Sequence, residues 1–77
     1  MSIKRRLHRA EKERNAIIST VHTSPKEGSF LEKMNSAPYR VQKNWIKACF
    51  DIANLRVEAV SSGAAYFTKS GRFSFNN

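Results

Sequence analysis

The stretch "PYRVQKNWIKACFDIANLRVE", Pro38 to Glu58, constrains this chain more than any other. Val41, Trp45, Ala48, Ile52 and Leu55 recur at steps of four and three, so they share one line of an α-helix, with Cys49 beside it. Arg40, Lys43, Asn44, Lys47, Asp51 and Asn54 take the other side. A helix with two such faces must lay its apolar line against something. Asn35-Ser36-Ala37-Pro38 reads as the turn before it, with Ser36 as the expected cap and Pro38 in the first turn, where a missing N–H does no harm. After Leu55 the rhythm changes. Arg56-Val57-Glu58-Ala59-Val60 alternates for most of its length, the pattern of a half-buried strand. Ser61-Ser62-Gly63-Ala64 is turn material, and Ala65-Tyr66-Phe67-Thr68 reads as a returning strand closed by Lys69-Ser70-Gly71. Arg72-Phe73-Ser74-Phe75 fits either a short edge strand or a tail with two aromatic anchors.

Upstream, Ser2 can cap a first helix whose stripe holds Ile3, Leu7, Ala10, Ile17 and Val21, widened by Ile18 and interrupted by Arg14. The apolar signal is strong only from Ala16 to Val21. Residues 1–14 therefore read as a frayed extension or a basic arm. Ser24-Pro25-Lys26-Glu27 has the form of a capping box, with proline at the first helical position. It predicts a short helix from Pro25 to about Met34, with Phe30, Leu31 and Met34 on its apolar side. Gly28 weakens that helix by about 1 kcal/mol relative to alanine. The expected core is Ile17, Ile18 and Val21 of the first helix, Phe30, Leu31 and Met34 of the second, the Val41–Leu55 line with Cys49, and Val57 and Phe67.

Seventy-seven residues make one domain with a thin core, too small to wall a catalytic cavity. Fourteen Lys and Arg stand against six Asp and Glu, a formal charge of +8. That balance points to nucleic acid, an anionic membrane or an acidic protein as partner. Residues 1–14 hold six basic and two acidic side chains, net +4, half the total. Cys49 is the only cysteine, so no intrachain disulfide and no cysteine-based zinc site is expected, and a reducing, cytoplasmic setting fits. Lys4-Arg5-Arg6 imitates the start of a signal peptide, but no apolar run follows. No segment approaches a membrane span. A membrane-surface helix over residues 3–21 would lack Trp or Phe on its apolar face. The carboxylates are scattered, His8 and His22 lack neighbours at ligand spacing, and there is no glycine-rich phosphate cradle. The expectation is a non-enzyme with no metal and no cofactor.

Taken in order, "SPKEGSFLEKM", "NSAP", "YRVQKNWIKACFDIANL" and "RVEAVSSGAAYFTKSG" resemble the winged helix-turn-helix family of DNA-binding domains over residues 15–71. "YFTKSG" looks like the closure of a wing. The layout is similar to that of very small accessory proteins of tailed phages, which reduce this fold to its minimum. The fold class expected is α+β, mainly α: three helices followed by a C-terminal β-hairpin wing. Residues 1–14 would be a basic arm or helix extension and residues 72–77 a tail.

The resemblance implies that the third helix enters the major groove of double-stranded DNA. Arg40 and Lys43 can donate to guanine O6 and N7, and Gln42 and Asn44 have the paired donor and acceptor that adenine demands. Lys47 would meet a phosphate, and Lys69 and Arg72 at the wing would reach the backbone. Lys4, Arg5, Arg6 and Arg9 would add phosphate contacts, which position without specifying. Each of these also fits an ordinary solvated face. On this reading the chain is a transcriptional regulator or phage accessory factor. The alternative is a phage-type protein that inhibits a host polymerase or nuclease by docking on an acidic or nucleic-acid-binding surface, with Phe73 and Phe75 as exposed aromatics. A homodimer through Ile3, Leu7 and Ala10 is also open, since that stripe has no evident partner in the chain.

Overall fold

The computed structural model describes residues 2–22 and 29–76. Helix α1 spans Ile3–Val21, α2 Phe30–Asn35 and α3 Tyr39–Ser61; strands β1, Ala65–Phe67, and β2, Phe73–Phe75, follow. The class is α+β, mainly α, with three helices and a C-terminal two-stranded antiparallel hairpin, as the sequence predicts.

Ser2 caps α1, its hydroxyl accepting from the Arg5 backbone N–H at 3.2 Å. The basic beginning of α1 is neither frayed nor a separate arm. Leu7 is 1% exposed and Ala10 8%, and with Ile52 and Leu55 of α3 they form the centre of the core. Their apolar stripe, open to a second chain on the sequence reading, is covered within the chain. Arg6 pairs with Glu58 at 3.7 Å and Glu11 with Arg56 at 3.3 Å. These pairs step in opposite directions along the two helices, so α1 and α3 lie antiparallel.

The expected strand Arg56–Val60 is helix. The segment satisfies two periods at once, and the helical one wins because Ala59, fully buried, extends the Val41–Leu55 line by one more turn. Arg56 and Glu58 flank that line on either side and find their partners on α1. Alternation in sequence thus reflects two borders of a packed helix. The helix ends where Gly63 takes φ +80°. The Ala64 N–H then donates to the Ala59 carbonyl at 2.9 Å and the Gly63 N–H to the Val60 carbonyl at 3.1 Å, a Schellman closure.

The hairpin therefore forms one step later than expected. Ala65 pairs with Phe75, Tyr66 with Ser74 and Phe67 with Phe73. Its loop closes as the Thr68 hydroxyl accepts from the Arg72 N–H at 3.0 Å, with Gly71 at φ +86°. Residues 73–75 are thus not a tail: Phe73 and Phe75 pack on the Leu7–Ala10–Ile52–Leu55 core. They stack edge-on to each other at 5.2 Å, and Phe67 stacks on Phe73 at 5.4 Å. Arg56 lies over Phe73 and Lys4 over Phe75, each 5.5 Å from the ring centre. Asn76 ties the strand back to the end of α3, donating from its backbone to Ala64 and from its side chain to Gly63.

At the other end, Ser29 caps α2, accepting from the Glu32 N–H at 3.2 Å. The expected start at Ser24–Pro25, and Gly28, lie outside the described residues. Ser36 closes α2 instead of opening α3, whose N-cap is Pro38 with no side-chain cap bond. Met34 is buried, and Phe30 sits between His22 and Trp45, edge-on to the indole at 5.4 Å. Of the other expected core residues, Ala48 is buried, while Leu31, Val57 and Phe67 are exposed. The short β1 turns only Ala65 inward.

Candidate nucleic-acid interface

Arg40, Lys43, Asn44 and Lys47 are all exposed in the first turns of α3. Steps of three and four set them along one edge about 10 Å long. Among the described residues none of the three cations has an ion-pair partner. Their charge is free to act on an approaching anion.

Gln42 does something else. Its Nε2 lies 3.0 Å from the carbonyls of Met34 and Asn35 and 3.1 Å from that of Ala37. These are carbonyls of the end of α2 and of the turn after it, that of Met34 also accepting from the Ala37 N–H at 3.1 Å. The side chain clamps the two helices together, so its donors are spent inside the fold. An adenine-reading role would have to break that clamp.

The second cationic surface lies on α1. Lys4, Arg5 and Arg9 are exposed there together with His8 and Lys12. Positions 4, 5, 8, 9 and 12 fall on one helical face. They line an open groove with Glu11 and with Phe75 of the hairpin as its apolar wall. Arg6 points to the opposite border and meets Glu58. His8 and Lys12 were not singled out by sequence, although their spacing from Lys4, Arg5 and Arg9 carries the signal. Lys69 and Arg72 are exposed in the hairpin loop.

The two surfaces are distinct. The hairpin packs beside Lys4 and Arg56, whereas the cationic edge of α3 ends at Lys47, nine residues or about 13 Å before Arg56. The structure joins Lys4, Arg5 and Arg9 with the hairpin, and keeps Arg40, Lys43, Asn44 and Lys47 as a separate edge.

A third feature went unread in the sequence. Tyr39, Ile46, Phe50 and Val57 are 77%, 47%, 65% and 62% exposed, and Ala53 is exposed between them. The helix is thus apolar toward α1 and again on its far side, with the charged edge between. The steps of four, three and four at 46, 50, 53 and 57 carry this signal in the sequence.

Among the described residues, no three His, Cys, Asp or Glu side chains gather as a metal site requires, and no helix is long and apolar enough to cross a membrane. Comparison with family models, curated proteins and solved structures finds no match to this chain.

Proposed function

We propose that this chain is a small basic protein that binds double-stranded DNA, as a transcriptional regulator or phage-type accessory factor of winged helix-turn-helix character. The observation that carries the reading is the face of α1 bearing Lys4, Arg5, His8, Arg9 and Lys12, open to solvent and without ion pairs among the described residues. Lys4, Arg5, Arg9 and Lys12, four unneutralised cations on a rigid helix, suit a phosphate backbone, since binding releases the counterions that DNA condenses. Arg40, Lys43, Asn44 and Lys47 on α3 are the base-reading candidates, and Lys69 and Arg72 on the hairpin loop add backbone contacts.

If about five cations meet phosphates, affinity falls with salt at a log–log slope near −4 to −5. Replacing Lys4, Arg5 and Arg9 together by alanine flattens that slope by about 3 and weakens all sequences alike. Titration of labelled random and genomic duplexes across a salt series checks both. Absent binding at low salt, or binding indifferent to salt, overturns the reading. The alternative of an inhibitor docking on a host enzyme drew on Phe73 and Phe75 as free aromatics, and both rings are packed against the core.

A further inference from the structure

The outward stripe of α3 is an apolar surface with no partner among the described residues, and its form says what fits it. Ile46, Phe50, Ala53, Val57 and Val60 recur at steps of four, three, four and three, the spacing by which one helix meshes with another of the same kind. The seam runs four turns along a helix that α1 supports from the other side. A shallow apolar groove of about 340 Å³ between Trp45, Ile46, Cys49, Phe50 and Ala53 lies along it. We infer that this face pairs with a second copy of the chain, α3 against α3 in antiparallel orientation.

Orientation follows from charge. One border of the stripe is cationic in its first half, at Arg40, Lys43 and Lys47, and acidic in its second, at Asp51 and at Glu58, which stays half exposed beside its intrachain partner Arg6. An antiparallel pair sets each cationic half along the acidic half of the other copy. A parallel pair would set this border against the opposite border of the other copy, at Gln42, Cys49 and Arg56, and leave Arg40, Lys43 and Lys47 without acidic neighbours across the seam. The antiparallel register that puts Phe50 opposite Ala53 also puts Ile46 opposite Val57, so a large residue meets a small one in the middle layer. Tyr39, 77% exposed, extends the apolar surface past the cationic turn. A seam of this length is at the small end of specific interfaces, which makes the dimer dependent on concentration. The basic face of α1 remains open in it, twice. The inference does not rest on the duplex-binding reading, and Arg40, Lys43 and Lys47 serve either this seam or a duplex at one time.

Sedimentation of the full chain from about 10 μM to about 500 μM, the range a small interface calls for, is expected to show monomers passing to dimers. Phe50→Glu, at a position two-thirds exposed, is expected to keep the helical circular dichroism and to weaken the dimer at least about tenfold. On a Cys49→Ser background, chains carrying Ile46→Cys are expected to cross-link under mild oxidation to chains carrying Val57→Cys in preference to themselves. A chain that stays monomeric throughout overturns the inference. So does a Phe50→Glu variant that sediments like the parent, or an Ile46→Cys chain that cross-links chiefly to itself.

Discussion

The two ends of α3 are held by different means. At its C-terminal end, Leu7, Ile52, Leu55 and Ala59 are almost wholly buried, two ion pairs border them, and Phe73 and Phe75 of the hairpin pack over the seam. At its N-terminal end only Met34 and Ala48 are buried; Phe30 and Trp45 are half covered, and Leu31 is 63% exposed. There the short α2 is fixed mainly by hydrogen bonds, from Ser29 at its start and Gln42 at its finish. The contrast teaches that stability and the base-reading candidates are kept apart. The cations on α3 stand on the lightly packed end, where small adjustments to a partner cost little.

Three substitutions break or sharpen that contrast. Leu7→Ala should have the largest effect, about 3 kcal/mol lost in urea unfolding, because it empties the centre of the core. A loss below about 1 kcal/mol would return the first residues of α1 to the status of a detachable arm. Gly63→Ala comes next, at about 1–2 kcal/mol. Nothing lies within 4 Å of the added methyl, so the cost is that of holding an L-residue at φ +80°. Gln42→Ala should cost about 1 kcal/mol and should act locally. Amide exchange is expected to speed up in α2 and the following turn while the α1–α3 amides keep their protection. Equal acceleration at both ends would mean that the two regions open as one unit.

Much of the architecture was legible in the sequence. The Val41–Leu55 line, the Ser2 cap, the number of helices and the presence of a terminal hairpin all follow from local pattern. The end of α3 did not, because Arg56–Val60 obeys a strand period and a helix period equally well. What decided between them lies some 45 residues away, in Glu11 and Arg6, beyond any local window. The same holds for Leu7 and Ala10, whose stripe looks unpartnered until α3 is known to run on to Ser61. At the candidate site, charge and exposure of Arg40, Lys43 and Lys47 were readable from helical phase. The clamp made by Gln42 was not, since it depends on how closely the tail of α2 approaches the next helix. The α1 face was readable in principle, through the steps that join His8 and Lys12 to Lys4, Arg5 and Arg9.

The stitch made by Asn76 has a practical consequence. It holds the last strand to the Gly63 corner, and Ser2 and Ile3 line the same small depression as Gly63, Ala64, Phe75 and Asn76. Entry and exit of the described backbone therefore share one pole of a particle 40 Å long. A fluorophore, an affinity handle or a surface tether joined through either extremity will hang from that pole, leaving the Arg40–Lys47 edge at the far side unobstructed for single-molecule or immobilised assays.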